Sequence, residues 1–223
     1  MSNYFLNFFE KIYIFQNIYL KNKFFFKKKT YAMQGEDLIA EKYFKEIDNG
    51  FYVDLGCYHP IQHNNTMLLY QKGWRGINID INEFSIKLFN FCRPDDLNLN
   101  LAVSDKNGEI DFYYQKKLSL ISTIKKSRCN FSFQGQINKK KISSQTLTKV
   151  LDDSKYKDKQ IDFLDVDIEG ADLDVLKSLD FSRYSPKLIC VEIFPENMDI
   201  NNINIEKSDI YNFLKVKNYQ KLW

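Results

Sequence analysis

The sequence predicts an α/β fold with a mostly parallel, doubly wound sheet and helices on both faces. Short apolar runs alternate along the chain with segments of helical periodicity, which is the order that strands joined by crossover helices produce. The run at 51–55 has Asp54 next to its end and is followed by a glycine turn, and the run at 76–80 ends at Asp80. In an open α/β sheet, buried strands that end in this way are typical of a nucleoside site.

Each element of the predicted sheet has its own signal. Apolar runs of strand length predict strands at 51–55, 76–80, 97–103, 109–114, 161–166 and 188–193. Apolar stripes at helical spacing, preceded by acids, caps or turn residues, predict helices at 34–47, 65–72, 82–93, 144–152, 170–179 and 209–216. The polar and basic segment 115–141 has no sustained apolar period, so we expect a mobile insertion or lid there.

Length and composition indicate one globular domain. The chain has 223 residues, of which 44% are hydrophobic and 27% are charged. The formal net charge of +3 is too small to argue for a nucleic acid partner, and we expect none. The cysteines are scattered, with no CxxC pair, so reduced thiols in a cytoplasmic protein are expected and a zinc site is not. They are Cys57, Cys92, Cys129 and Cys190.

The N-terminus predicts a basic and aromatic helical extension, residues 1–30, ahead of the main domain, residues 31–223. Its apolar residues fall on one helical face and are followed by KNKFFFKKK, residues 21–29. A segment of this kind is able to lie on an anionic membrane surface, so residues 4–29 are a candidate for peripheral membrane contact. The alternative, which we favour, is a helix packed on the domain or on a second subunit. The oligomeric state stays open.

The first two predicted strands indicate the cofactor. Asp80, at the end of the second, is expected to accept hydrogen bonds from both ribose hydroxyls of a nucleoside. A pyrophosphate needs several glycines for backbone approach, and the loop after the first strand has only Gly56. Asp54 would also repel a phosphate. We therefore expect S-adenosylmethionine, which combines a ribose with a sulfonium and an ammonium and has no phosphate.

A second acidic cluster lies in IDFLDVDIEG, residues 161–170. Because carboxylates are costly inside a buried strand, Asp167 and Glu169 are expected at or beyond its carboxyl end, where ligands bind. There they are able to hold a substrate hydroxyl, act as a general base or bind a divalent cation, and we assign no metal. The alternative is that they decorate the N-terminus of the following helix.

The loop after the first strand supplies further candidates. His59 is a candidate general base, because it lies close to the cofactor glycine; alternatively it braces the turn before Pro60. Asn65 and Thr66 are candidate ligand contacts and equally good helix caps. Glu192, at the end of the fifth strand of the main sheet, is a candidate floor residue of the pocket or an ion-pair partner.

Six motifs occur in order: YAMQGEDLI, FYVDLGCYHP, HNNTMLLYQKGWRGINIDIN, RPDDLNLNLAVSDKNGEIDFY, IDFLDVDIEGADLDVL and PKLICVEI. Together they resemble the FkbM family of S-adenosylmethionine-dependent methyltransferases, over residues 31–194. The resemblance implies a Rossmann-like methyltransferase fold and catalytic roles for His59, Asp167 and Glu169. The cofactor-binding residues predicted on this basis and from the loops are Gln34, Glu36, Asp54, Gly56, Asn65, Thr66, Asp80, Ser104 and Asp105.

The resemblance also implies an activity. Many members of that family methylate hydroxyls of sugars or of polyketide and other natural products, so a small-molecule or glycan acceptor is expected. Asp165 departs from the lysine or serine expected before the DVEG-like segment, and the C-terminal strand hairpin of the fold is expected to be incomplete. Because the hairpin is expected to be incomplete, a non-catalytic cofactor-binding or scaffold protein is one alternative. Because the insertion is rich in lysine, an RNA methyltransferase is another. The glycine-poor loop disfavours a nicotinamide dehydrogenase.

Overall fold

Alternating strands and helices make up most of the chain. The computed structural model describes residues 2–115, 122–126, 129, 136–193 and 204–223, with side chains from residue 8 onward. The strands are β1 (Phe51–Leu55), β2 (Arg75–Asp80), β3 (Leu97–Asn100), β4 (Ala102–Val103), β5 (Gly108–Tyr114), β6 (Asn138–Gln145), β7 (Phe163–Val166) and β8 (Leu188–Val191). The α-helices are α1 (Ser2–Phe15), α2 (Glu36–Tyr43), α3 (Met67–Gln71), α4 (Glu83–Cys92), α5 (Leu147–Asp152), α6 (Asp172–Lys177) and α7 (Asp209–Val216). A π-helix, Gln16–Lys21, continues α1, and a helical turn, Ile205–Lys207, precedes α7.

Five parallel strands form the central sheet in the order β3-β2-β1-β7-β8. The chain runs outward from β1 through β2 to β3 and later returns to the other side of β1 with β7 and β8. The strand order therefore reverses between β1 and β7, which is the switch point of a doubly wound sheet. The predicted α/β, Rossmann-like architecture is confirmed, and β1 has the predicted bounds.

The two faces of β1 meet different cores, because successive side chains of a strand alternate between faces. Phe51, Val53 and Leu55 belong to a buried apolar cluster that also contains residues of α5 and α6, with α7 packed against it. Tyr52 packs on the opposite face with residues of α2 and α3. Helices therefore cover both faces as predicted, and Asp54 is a buried polar residue on the second face.

A second sheet of three strands, in the order β4-β6-β5, lies beside the first. It corrects the prediction of a helix over 144–152, because residues 144–145 are the end of β6 and the helix starts at Leu147. Thr146 caps this helix by accepting a hydrogen bond from the backbone N–H of Lys149 at 3.3 Å. The second sheet also contains the end of the predicted strand 97–103, which is divided between β3 and β4.

The segment predicted as a mobile insertion, 115–141, is partly regular. Its residues 138–141 begin β6, which pairs antiparallel with β5. The strand was hard to see in the sequence because Lys139, Lys140 and Lys141 are all exposed, so that the alternation with buried residues starts only at Ile142. The parts of the predicted insertion that lie outside the described residues are 116–121, 127–128 and 130–135.

The C-terminal helix α7 has the predicted bounds, and Ile210, Phe213 and Leu214 pack it against the core. After it, the hydroxyl of Tyr219 donates to the carbonyl of Pro186 at 2.6 Å. Within residues 136–193 and 204–223, β8 pairs only with β7 and no antiparallel strand joins the central sheet. Residues 194–203 lie outside the described residues.

The N-terminal extension packs on the domain. The ring of Tyr13 lies 5.0 Å from that of Phe84, and Ile14 and Ile18 share a buried cluster with Leu88 of α4. Among the described residues, no helix is both long enough and apolar enough to cross a membrane. The contact with α4 is the arrangement that the sequence analysis favours.

Candidate active site

A pocket of about 540 Å³, its open mouth included, lies at the carboxyl ends of β1, β2 and β7. The pocket opens at the switch point of the sheet, where open α/β folds bind their ligands. Four of the predicted site residues line it: Gly56, Asp80, Asp167 and Glu169.

Asp80 ends β2 and borders the pocket with its carboxylate held in place. The backbone N–H of Tyr58 donates to Oδ2 at 2.8 Å, and that of Asn82 donates to Oδ1 at 2.7 Å. These two bonds orient the carboxylate, and each oxygen keeps a lone pair for a ligand. Burial raises the pKa of Asp80 to about 6, so the group is mostly ionised at neutral pH and accepts hydrogen bonds.

Gly56 follows β1 with a φ of +78°, a conformation that favours glycine. Its N–H donates to the carbonyl of Ile79 at 2.9 Å, which ties the loop to β2. A Cβ at this position would lie 1.8 Å from the carbonyl oxygen of Asp167. From the sequence, we expect glycine here for the close approach of a ligand. In the structure, the backbone of the loop after β7 makes such a close approach.

Gly56→Ala should destabilise the protein by at least about 2 kcal/mol, because the new Cβ adds a collision with Asp167 to the strain of a positive φ. Urea denaturation measures this loss. Gly35→Ala is the matched control, since Gly35 has a φ of +92° but its nearest contact with an added Cβ is 3.8 Å away. Equal losses in the two variants would mean that the collision with Asp167 does not contribute to the loss of stability.

Asp54 is buried in a hydrogen-bond network and is not among the residues that line the pocket. Its Oδ2 accepts from the hydroxyl of Thr66 at 2.7 Å and from the side-chain amide of Asn64 at 3.1 Å. Burial raises the pKa of Asp54 to about 6, and the nearby charge of Arg93 opposes this rise. Asp54 and Thr66 thus hold the loop after β1 in place, and their predicted contact with the cofactor stays a prediction.

Arg93, at the end of α4, is the cation of this network and is fully buried. Its guanidinium donates to the Thr66 hydroxyl at 2.8 Å, the Asn64 side-chain oxygen at 2.7 Å and the Pro60 carbonyl at 2.6 Å. Sequence reasoning missed this residue, because an arginine after an amphipathic helix is usually exposed. No local pattern distinguishes it from a surface arginine.

A row of polar side chains crosses the central sheet on the face of Asp54. From β3 to β8, its members are Asn98, Asn78, Asp54, Asp165 and Cys190. Asp54 and Asp165 are direct neighbours on adjacent strands. Burial, reinforced by the charge of Asp54, raises the pKa of Asp165 well above its usual value. The side chain of Asn65 donates to Asp165 at 3.1 Å, so Asn65 satisfies a buried carboxyl group of the sheet.

Three carboxyl groups converge after β7 and β8. Asp167, Glu169 and Glu192 place carboxylate oxygens within 4.8 Å of one another. Burial, together with the charge of Asp167, raises the pKa of Glu192 to about 9, so Glu192 is protonated at neutral pH. This cluster sets a carboxylic acid beside a carboxylate that is able to act as a base, and the same oxygens are suitable ligands for a divalent cation.

The comparison with known families decides what kind of protein carries this pocket. A family model described as the methyltransferase FkbM domain matches residues 54–221, which is most of the chain. The chain belongs to the FkbM methyltransferase family. Neither a curated protein nor a solved structure matches it significantly. The FkbM match includes the end of β1, the strands β2 and β7 and the acids after β7, so the resemblance seen in the sequence is confirmed.

His59 lies away from the pocket lining of this FkbM domain. It is fully buried, and its Nδ1 accepts a hydrogen bond from the backbone N–H of Ile61 at 3.1 Å. Its Nε2 lies 3.2 Å from the side-chain nitrogen of Asn22 in the N-terminal extension. Burial lowers the pKa of His59 to about 3, so the ring is neutral. These contacts are those of a side chain that braces its loop, and the predicted role of His59 as a base stays a prediction.

Four more predicted cofactor residues also lie outside the pocket lining of the FkbM domain. They are Gln34, Glu36, Ser104 and Asp105. Glu36 accepts a hydrogen bond from the backbone N–H of Gln34 at 2.9 Å, at the start of α2. The hydroxyl of Ser104 is buried 2.6 Å from that of Ser144, and Asp105 is exposed in the following turn. Their contacts with a cofactor stay predictions.

The pocket of the FkbM domain has lining residues that sequence reasoning missed. Tyr58 is one, and its φ of +50° marks a strained turn after Gly56. Ser122 and Ile124 are two others, and they come from the predicted insertion. Between them, Thr123 donates its hydroxyl to the carbonyl of Glu169 at 3.0 Å. Because the insertion is polar, its residues were expected at the surface, and no pattern in the sequence indicates that Ser122 and Ile124 border the pocket.

Proposed function

We propose that this protein is an S-adenosylmethionine-dependent O-methyltransferase that acts on a hydroxyl of a sugar, a glycan or a related natural product. The observation that carries the proposal is one pocket, at the switch point of the sheet, that is lined both by Asp80 and by Asp167 and Glu169. Membership of the FkbM family supports the transfer of a methyl group. The acidic lining supports a hydroxyl acceptor, since a hydroxyl must lose its proton during transfer.

The pocket residues fit this cofactor. Asp80 offers oriented acceptor oxygens to ribose hydroxyls. Asp167 and Glu169 bring carboxylates to the same pocket, which suits a sulfonium and an ammonium and opposes a pyrophosphate. Ile81 and Leu101 add apolar lining on which a purine ring is able to pack.

The mechanism requires alignment and one proton acceptor. When bound, S-adenosylmethionine would supply a sulfonium methyl group to the attacking acceptor oxygen, and S-adenosylhomocysteine would leave as a neutral thioether. The chain aligns the acceptor hydroxyl and takes its proton. We assign the proton to Asp167, because it borders the pocket and lies beside the neutral Glu192, which shares a hydrogen bond with it. Glu169 positions the acceptor by accepting a bond from a second hydroxyl.

The ribose contact predicts a pH dependence of binding. Asp80 accepts ribose hydroxyls when ionised, and its pKa is about 6, so protonation at lower pH removes acceptor capacity. Affinity for 5′-methylthioadenosine, which carries the ribose but no titrating amine, should fall about tenfold from pH 7.5 to pH 5. Calorimetry at both pH values measures this. The same fall in Asp80→Asn would assign the effect to another group, such as Asp54.

A transfer assay tests the proposed reaction. The protein is incubated with S-adenosylmethionine labelled on its methyl group and with monosaccharides, nucleotide sugars, oligosaccharides or RNA. The expected product is a labelled sugar ether, which resists the mild alkali that cleaves a methyl ester. Label that appears in RNA, or cofactor binding without transfer to any acceptor, would favour the alternatives that the sequence leaves open.

The cysteines support the location that we propose. Cys57, Cys92, Cys129 and Cys190 are free thiols, and two of them are buried. Free thiols suit a reducing compartment. We therefore place the protein in the cytoplasm, which fractionation of cells that express it would test.

A further inference from the structure

The N-terminal extension is apolar on two faces, and only one of them is covered. Ile14 and Ile18 are buried against α4, as described above. The opposite side of α1 and the segment that follows expose a continuous series of large apolar residues. This surface, called here the N-terminal apolar face, consists of Phe8, Phe9, Ile12, Phe15, Leu20, Phe24, Phe25 and Phe26.

Ring contacts join much of the N-terminal apolar face into one patch. The ring of Tyr19 lies 4.8 Å from Phe15, 5.4 Å from Phe24 and 4.9 Å from Phe25. Tyr19 also lies 5.9 Å from Phe91 of α4, which is itself exposed. Single exposed apolar residues are common, but a contiguous patch rimmed by charge is typical of an interaction surface.

The positive charge of the N-terminal extension favours an anionic partner for this face. Residues 1–30 contain six lysines and one glutamate, a formal charge of +5, whereas the whole chain carries +3. The exposed lysines among them are Lys11, Lys21, Lys23, Lys27 and Lys29. A second copy of the chain would bring the same positive charge to a two-fold interface, whereas anionic lipid headgroups bring the opposite charge.

We propose that the N-terminal apolar face binds the surface of an anionic lipid membrane. Interfacial helices insert apolar side chains below the headgroups while lysines reach the phosphates, and this face has both kinds of residue side by side. The extension is firmly joined to the domain, since Glu10 pairs with Lys87 at 2.8 Å and Asn22 meets His59 at 3.2 Å. The extension thereby links the N-terminal apolar face to the loop after β1, which contains His59 and the pocket residue Tyr58.

Flotation with vesicles tests this proposal on the full chain. The protein should float with vesicles of equimolar phosphatidylcholine and phosphatidylglycerol but not with phosphatidylcholine alone, and added salt should weaken the binding. The double variant Phe25→Ser and Phe26→Ser should bind at least about tenfold more weakly, because both rings are more than half exposed and reach the lipid. Lys27→Gln with Lys29→Gln should weaken binding roughly twenty-five-fold, about fivefold for each charge.

Leu222→Ser with Trp223→Ser is the matched control, because both residues are exposed but follow α7 on the opposite face of the sheet. This control should bind like the wild type, and all variants should keep the wild-type circular dichroism. Equal binding to neutral vesicles, or unchanged binding after the two phenylalanine substitutions, would overturn the proposal. A dimer that those substitutions dissociate, or tighter binding to single-stranded RNA than to vesicles, would assign the face to another partner.

Discussion

Replacing Arg93 with methionine should lower the free energy of unfolding by about 3–5 kcal/mol, the cost typical of removing one member of a buried charged group. Arg93 is fully buried and donates to Asn64, Thr66 and Pro60. Methionine has a similar length but donates nothing, so these acceptors lose their partner. Asp54 also loses a cation whose charge opposes the rise of its pKa. Urea denaturation followed by circular dichroism measures the loss.

Arg75→Met is the matched control for this prediction. The guanidinium groups of Arg75 and Arg93 lie 4.5 Å and 5.2 Å from the ring centre of Tyr70, but Arg75 is partly exposed and pairs with Asp95 at the surface. Its replacement should cost less than about 1 kcal/mol. Asp54→Asn added to Arg93→Met should recover part of the stability, because a neutral amide needs no cation. Equal losses for the two arginines would contradict the role of the network.

Asp167→Asn should reduce turnover by roughly a hundredfold to ten-thousandfold, the range typical of losing a general base. Asparagine keeps the size of the side chain but is not able to take a proton from the acceptor hydroxyl. The cofactor affinity should change much less, because Asp80 still offers its oxygens to the ribose and Glu169 still provides a carboxylate for the cationic end of the cofactor. Steady-state kinetics, with calorimetry on the same samples, separates the two effects.

Glu192→Gln and Asp153→Asn are the controls for Asp167. Glu192 is protonated at neutral pH, so glutamine resembles its resting form and should cost much less turnover than Asp167→Asn. Its removal should also flatten any fall in activity near pH 9, where Glu192 loses its proton. Asp153 is exposed and paired with Lys149 outside the pocket, so its variant should resemble the wild type. Full turnover in Asp167→Asn would contradict the assignment of the base.

The sequence was sufficient for the features that depend on local pattern and strand ends. Five of the predicted strands are the strands of the central sheet, with bounds that differ by a few residues at most apart from the split of 97–103. Asp80, Asp167 and Glu169 line the pocket as expected, because parallel strands bring their carboxyl ends to one edge. An acid at the end of a parallel strand is therefore placed at the binding edge of the sheet by its position in the sequence.

Residues whose roles depend on distant contacts were not predictable in the same way. Asp54 and Thr66 have the spacing expected for ligand contacts, but they bond each other and are held by Arg93, 27 residues beyond Thr66. His59 has the right chemistry for a base, but the N-terminal extension covers it through Asn22. The strand β6 was missed because its three consecutive lysines break the alternation of apolar and polar residues that indicates a strand. No local pattern reveals such contacts, and the predicted ligand or catalytic roles of Asp54, Thr66 and His59 stay predictions.

Titration of S-adenosylmethionine into the wild type, Asp80→Ala and Asp153→Ala at one pH tests the central claim most directly. We expect the wild type to bind and Asp80→Ala to bind roughly tenfold to a hundredfold more weakly, because the ribose hydroxyls lose an oriented acceptor. Asp153 is exposed, pairs with Lys149 and lies outside the pocket lining, so its variant should match the wild type. Equal affinity of all three proteins, with their folds intact, would contradict the placement of the cofactor.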